Sequence, residues 1–188
     1  MRLFIAIDPP LDALARLQRL VTSLRPEALI KWTPLDNLHI TVKFIGQWED
    51  ARLNEIDDAL QTVASREPFG VELKTLGWFP NERRPHTFWV GVESSAALPD
   101  LARDLEICLE KIGIAREDRA FTPHLTLARI KHPVPLVRLR QRVEGLQSTG
   151  FGEFRVGKFT LYRSRPGSNS SIYHKLRDYS FQSAMAAS

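Results

Sequence analysis

Leu38-His39-Ile40-Thr41-Val42-Lys43-Phe44-Ile45-Gly46 sets an imidazole and a hydroxyl two residues apart among strand-forming neighbours. In a strand successive side chains alternate faces, so His39, Thr41 and Lys43 are expected on one face and Ile40, Val42 and Phe44 on the other. The device returns at Pro123-His124-Leu125-Thr126-Leu127-Ala128-Arg129, where His124 and Thr126 again share a face between Leu125 and Leu127. His124 follows His39 by 85 residues, and Thr126 follows Thr41 by the same interval.

That interval extends beyond the motifs. Leu3-Phe4-Ile5-Ala6-Ile7-Asp8 aligns with Phe88-Trp89-Val90-Gly91-Val92-Glu93, and Leu17, Leu20 and Leu24 align with Ala102, Leu105 and Leu109. One unit of strand, amphipathic helix and motif strand is used twice, with halves at about 1–84 and 85–181. If the halves pack about a pseudo-twofold axis, two His and two Thr meet around one point. Two imidazoles across a shared cleft are the equipment of acid–base chemistry.

A chain of 188 residues that is 43% hydrophobic can bury one sizeable core, so one domain of two lobes over 1–188 is expected, ending in a tail at 182–188. The net charge of +4 and pI near 9.5 suit a polyanionic ligand, although such an excess also occurs in proteins that bind none. Cys108 is the single cysteine, so no disulfide forms within the chain, and it shares a helix face with Leu101, Leu105 and Ile112, as a core residue would. The apolar run after Arg2 stops at Asp8-Pro9-Pro10, too short for a signal peptide, and no stretch approaches a membrane span. A cytoplasmic monomer without membrane contact is expected.

Leu3 to Ile7 reads as a strand covered on both faces. Leu14, Leu17, Val21 and Leu24 recur at helical spacing and predict a helix over Leu11 to Leu24, with Pro10 near its start and Pro26 past its end. The first motif strand ends at Gly46; a helix over Asp50 to Ala64 and a strand over Val71 to Phe79 follow. The second half predicts a strand over Thr87 to Glu93, a helix over Pro99 to Ile112, the motif strand over Phe121 to Ile130 and a helix over Val134 to Leu146. A long strand from Phe154 to Tyr162, bent near Gly157, leads to a loop at Pro166 to Ser171 and a closing strand over Ile172 to Phe181; Ala184 to Ser188 are expected to be disordered.

One His-x-Thr on a strand is ordinary packing. Two in matching places of a repeat are not, because burying an ionisable group without a partner costs several kcal/mol, about 2–7 for a polar group, at each site. Zinc is a weaker explanation, since two His and two Thr lack a third strong ligand at the same spacing; no metal and no cofactor are expected. One neutral imidazole can take a proton from water while the other, protonated, delivers one to a leaving oxygen. Thr41 and Thr126 can donate hydrogen bonds to phosphoryl oxygens during the displacement. Lys43 shares parity with His39 and can approach a phosphate; Arg129, five residues past His124, points to the opposite face unless the strand bulges. His86, His132 and His174 lack the repeat context and read as exposed surface. Trp32, Trp78, Phe79, Trp89 and Tyr173 read as packing, with room for one or two to stack on a base.

At these residues the chain resembles the two-histidine phosphoesterases, whose hallmark is a pair of His-x-Thr/Ser-x motifs; His39-Ile40-Thr41-Val42 and His124-Leu125-Thr126-Leu127 match both. Within them it is similar to the RNA 2′,3′-cyclic phosphodiesterases, also called the 2′-5′ RNA ligase or LigT-like family. Arg2 to Ile7, Leu38 to Gly46, Phe121 to Arg129 and Leu161-Tyr162-Arg163-Ser164 carry the resemblance, with Val42 and Ile45 as apolar departures where Leu is commoner. It implies an α+β, bilobal, pseudo-duplicated fold in which two antiparallel-rich sheets line a central cleft and helices pack outside. It also implies metal-independent hydrolysis of RNA 2′,3′-cyclic phosphate ends to 2′-phosphomonoesters, with reversible 2′-5′ ligation as a companion activity. His39 would be the proton donor and His124 the acceptor, with Lys43 and Arg129 as candidate substrate contacts. The implied partners are RNA with cyclic phosphate ends, tRNA fragments among the candidates, or nucleotide 2′,3′-cyclic phosphates. Two other readings stay open: a phosphodiesterase of 2′-5′ oligonucleotides or small cyclic nucleotides, and a non-catalytic nucleotide- or RNA-binding module.

Overall fold

The computed structural model describes residues 1–168 and 170–182. Asn169 of the expected loop, and the expected tail and disordered end from 183 onward, lie outside the described residues.

The chain opens with strand β1 (Arg2–Ile7), buried along nearly its whole length, and helix α1 (Leu11–Leu24). Pro10 caps α1 in extended conformation, and Pro26 sits in a short 3-10 turn that ends it. Ala13, Leu17, Leu20, Val21 and Leu24 form its buried face; burying a leucine as completely as Leu17 or Leu24 stabilises by roughly 1.5–3 kcal/mol. Next come a two-residue strand β2 (Lys31–Trp32), the motif strand β3 (Ile40–Gln47), a 3-10 turn at Asp50–Arg52 and helix α2 (Leu53–Val63).

Strands β4 (Phe69–Phe79) and β5 (Thr87–Ser94) lead to helix α3 (Ala97–Glu110), the second motif strand β6 (His124–Arg129) and helix α4 (Val137–Glu144). The chain closes with β7 (Gly150–Val156), β8 (Lys158–Arg165) and β9 (Ile172–Ser180). Three of the differences from the expected boundaries have a proline or glycine reason. Strand β6 starts at His124 because Pro123 has no N–H for the ladder. Helix α4 starts only at Val137 because Pro133 and Pro135 keep the preceding residues extended. The long strand expected around Gly157 is two strands, β7 and β8, broken at that glycine.

Among the described residues the strands form one curled antiparallel sheet in the order β7-β4-β5-β6-β3-β1-β8-β9, with β2 beside β6. The two expected sheets are the two arms of this one, joined at the centre by a single residue pair, Ile40 and Leu125. The order also crosses the halves over. Strand β4 belongs to the first half but pairs with β5 of the second, and β8 of the second half pairs with β1 of the first. One arm is therefore completed by β4 from the first half, and the other by β8 and β9 from the second. Helices α2 and α3 pack on each other, α3 lies against β3, and α1 against β7. The core between helices and sheet is a continuous cluster holding Ile5, Ile7, Leu17, Ile40, Ile56, Phe88, Leu105, Leu125 and Phe159. None of the described helices is long and apolar enough to cross a membrane.

Candidate active site

The central pair, Ile40 with Leu125, sits where the two repeats meet. Extending that antiparallel register by one residue each way sets His39 opposite Thr126 and Thr41 opposite His124, all four on the face away from the buried Ile40 and Leu125. The result is a two-by-two array about the pseudo-twofold axis, in which each imidazole stands across from the other motif's hydroxyl.

Both rings are oriented in the same way. His39 Nδ1 lies 2.7 Å from the Asn37 carbonyl oxygen, and His124 Nδ1 lies 2.8 Å from that of Thr122, the position 85 residues later. A carbonyl oxygen only accepts, so Nδ1 carries the proton in both rings and Nε2 is the nitrogen left for chemistry. The Thr41 hydroxyl reaches His39 Nε2 at 3.0 Å. Burial lowers the pKa of His39, against which the Asn37 carbonyl and Asp8 favour its protonated form while Arg129 and His124 oppose it. Burial also lowers the pKa of His124; the Thr122 carbonyl raises it and Arg129 lowers it. Both rings are thus held toward the neutral form, His39 with a carboxylate nearby.

Aromatic side chains flank each ring. Phe4 lies 5.0 Å from the His39 ring and stacks on Tyr162 at 5.2 Å, with Tyr173 edge-on to both Phe4 and His39. On the other arm Phe79 meets His124 edge-on at 4.9 Å, and Trp89, the repeat counterpart of Phe4, is 5.0 Å from Phe79. A cavity of about 800 Å³ opens beside the array, with Thr41, Phe44, Phe79, His86, Phe121 and His124 in its walls.

A model of one protein family, the 2′-5′ RNA ligase superfamily, matches residues 9–167. This chain belongs to that family. The RNA 2′,3′-cyclic phosphodiesterase of Methanocaldococcus jannaschii is 32% identical over 179 residues, covering 95% of this chain and 100% of that protein. Its namesake in Archaeoglobus fulgidus is 33% identical over 177 residues, covering 94% and 98%. A crystal structure from Thermus thermophilus superposes with a TM-score of 0.85 at 30% identity, over 98% of this chain and 100% of that one. E. coli LigT complexed with 3′-AMP superposes at 0.74 with 26% identity, over 96% and 97%.

In this member of the superfamily both motif strands carry a bulge that alternation alone does not reveal. Ile5 faces Lys43 but Ala6 faces Thr41, so Val42 is an extra residue; Phe88 faces Ala128 but Trp89 faces Thr126, so Leu127 is extra too. The two bulges are again 85 residues apart. Each puts two consecutive side chains on the helix side and returns the next to the cleft. Lys43 is therefore not on the face of His39, as expected. It is 4% exposed, with Nζ 2.7 Å from Glu106 Oε2 and 2.8 Å from the Ala115 carbonyl oxygen, which satisfies its charge within the protein. Phe44, expected on the core side, is 55% exposed on the cleft side, and Arg129, expected opposite His124, comes round to its face. Phe44 and Arg129 occupy equivalent repeat positions, so the symmetric imidazoles have unlike neighbours: an aromatic ring on one arm and a guanidinium on the other.

The network around Asp8 escaped the sequence reading. Tyr162 donates its hydroxyl to Asp8 Oδ1 at 2.7 Å, and Lys175 Nζ lies 3.0 Å from Oδ2. Burial and the Asp8 hydrogen bond raise the Tyr162 pKa, so it stays a donor. The nearness of Asp8 to His39 comes from the β1–β3 register: Ile7 faces Ile40, so extending it by one residue sets Asp8 against His39. His86, His132 and His174 are exposed, and His86 lines the cavity. Cys108 is half-buried in the core of α3, its pKa pushed up to about 11 by burial, which keeps it an unreactive thiol. Among the described residues no three His, Cys, Asp or Glu side chains are grouped to hold a metal ion.

Proposed function

We propose that this protein hydrolyses RNA 2′,3′-cyclic phosphate ends to 2′-phosphomonoesters without a metal, with His39 as proton donor and His124 as proton acceptor. The observation that carries the reading is the pair of imidazoles whose Nδ1 atoms are tied to backbone carbonyls, leaving both Nε2 atoms on one cleft face. Family membership and the names of the relatives support the reaction.

His124 Nε2 takes a proton from water as its oxygen attacks phosphorus, and the P–O3′ bond breaks on the opposite side. His39 Nε2–H delivers its proton to that 3′ oxygen, giving a 3′-hydroxyl and a 2′-phosphate. The two rings exchange protonation states and reset through solvent. Thr41 and Thr126 donate to the non-bridging oxygens, and the Arg129 guanidinium balances the charge that gathers there. A 5′-hydroxyl of another strand in place of water gives a 2′-5′ linkage by the same steps. Phe44 or Phe79 can stack on the base. The expected result with a cyclic-phosphate-ended oligoribonucleotide is full turnover in excess EDTA; loss of turnover restored by zinc would overturn the metal-free account.

Asp8 supports the unequal roles. Burial and Arg129 disfavour the protonated form of both rings, but the Asp8 carboxylate favours protonated His39, the state a donor needs, and no carboxylate does so for His124. Acid and base together give a bell-shaped kcat/KM profile, its alkaline limb set by loss of the donor's proton and its acid limb by protonation of the acceptor. Both pKa values are lowered, so the maximum should lie below about 6.5, the ordinary His value. Asp8→Asn removes a raising influence from His39 and should move the alkaline limb to lower pH, leaving the acid limb in place. Movement of the acid limb instead would exchange the two roles.

We read the chain as one catalytic unit, because strands β4 and β8 each complete the other half's arm. We infer its setting to be that of a cytoplasmic monomer acting on RNA ends.

A further inference from the structure

Beyond the catalytic array lies a second cavity, of about 700 Å³, between the segment 83–86 and the segment 130–140. Arg83, Arg84, His86, Lys131, His132 and Arg140 are in its walls, and no carboxylate is. The first segment is held in shape: Asn81 Oδ1 accepts from the backbone N–H groups of Arg83 and Arg84 at 3.1 Å each. The two segments are tied together by the Ile130 N–H, which donates to the His86 carbonyl at 2.9 Å.

The positive charge there is largely uncompensated. The side chains of Arg83, Arg84 and Lys131 have no acceptor among the described residues. Arg140 donates from Nη2 to the Glu82 carbonyl and sits over the Trp78 ring, but its Nε is buried with no hydrogen-bond partner, 4.0 Å from the nearest Glu82 carboxylate oxygen. Arg140 is thus partly engaged by Glu82, whereas the unpaired side chains of Arg83, Arg84 and Lys131 give the cavity cationic walls suited to an anion.

This cavity adjoins the catalytic one, since His86 lines both. Strand β6 runs from His124 through Arg129, which faces Lys31 of β2, and continues to Lys131 and His132, so a line of cations leads outward from the array. A nucleotide whose cyclic phosphate sits at the imidazoles has one further point of attachment, its 5′ oxygen. In RNA that oxygen bears the next phosphate.

We propose that the cavity between 83–86 and 130–140 binds the phosphodiester backbone upstream of the terminal nucleotide, which makes this protein selective for oligoribonucleotide ends over cyclic mononucleotides. The inference rests on the activity proposed above. Planar guanidinium groups match phosphate oxygens in pairs, and a cationic groove that tracks a single strand binds it without reading its sequence.

The test compares the wild type with Arg83→Ala/Arg84→Ala/Lys131→Ala, three exposed positions where alanine leaves the core untouched. Steady-state kinetics are measured on adenosine 2′,3′-cyclic phosphate and on a short oligoribonucleotide with the same end, over a range of salt. The expected result is a KM for the oligonucleotide about tenfold higher in the variant, with the log–log salt slope smaller by about 2, as three lost single-strand phosphate contacts would give. Mononucleotide turnover should be unchanged, and Arg83→Lys/Arg84→Lys should keep most of the oligonucleotide affinity. Equal effects on both substrates, or no effect on either, would overturn the proposal. Fluorescence anisotropy of a labelled oligoribonucleotide separates this from the proposed activity: without turnover of either substrate that activity fails. The cavity's role then stands if the triple variant loses the RNA and falls if it binds as well as the wild type.

Discussion

Alanine at His39 or at His124 should lower kcat on a 2′,3′-cyclic phosphate by about 10²–10⁴-fold each, the range for one general acid or base. Neither ring holds the fold together. Each is only partly buried at an edge of the central pair, and the core lies on the opposite face with Ile40 and Leu125. The variants should therefore keep their thermal unfolding profile while losing turnover. The double variant should be little worse than the single ones, because an acid and a base that act in one step fail as a unit. Kinetics on the folded variants check this, and near-full activity of either single variant would remove that ring from the mechanism. Thr41→Ala and Thr126→Ala should cost less, since each removes one neutral hydrogen bond among several.

Arg129→Ala should lower kcat by about 10²–10³-fold, comparable to removing a preorganised donor from a developing oxyanion. The bulge at Leu127 turns Arg129 to the cleft, where its charge reaches both imidazoles and pushes both toward the neutral form. Its loss should thus do two separable things: reduce the rate, and raise both limbs of the pH profile as the imidazoles recover basicity. Arg129→Lys should restore much of the pH profile but less of the rate, because an ammonium supplies the charge without the paired geometry. A rate effect with no movement of the limbs would place Arg129 away from the histidines.

Much of this was legible in the sequence because it was repeated. The 85-residue interval located both motifs, both strands leading to them and both helices between, and the 3.6-residue spacing of Leu14, Leu17, Val21 and Leu24 predicted α1 with its observed ends, Leu11 and Leu24. The exchange of β4 and β8 between the halves was not legible, because alternation tells which face a side chain takes and is silent about which strand lies beside it. The bulges at Val42 and Leu127 were hidden for a related reason. Both are apolar residues in apolar strands, and an extra residue leaves no mark on composition while reversing every face after it. That reversal buried Lys43 against Glu106 and brought Arg129 and Phe44 to the cleft. Asp8 was missed because its relation to His39 exists only in the register of β1 against β3.

The proposed asymmetry of roles rests on these same features. A repeat places two equal histidines, and Asp8 beside one and the exchange of Phe44 for Arg129 across the axis help to make them unequal. Phosphorus NMR of the product from an oligoribonucleotide ending in a 2′,3′-cyclic phosphate, with chelator present, tests that asymmetry together with the chemistry. The account predicts a single 2′-phosphomonoester, since His39 protonates the departing 3′ oxygen; a predominantly 3′-phosphorylated product would contradict it.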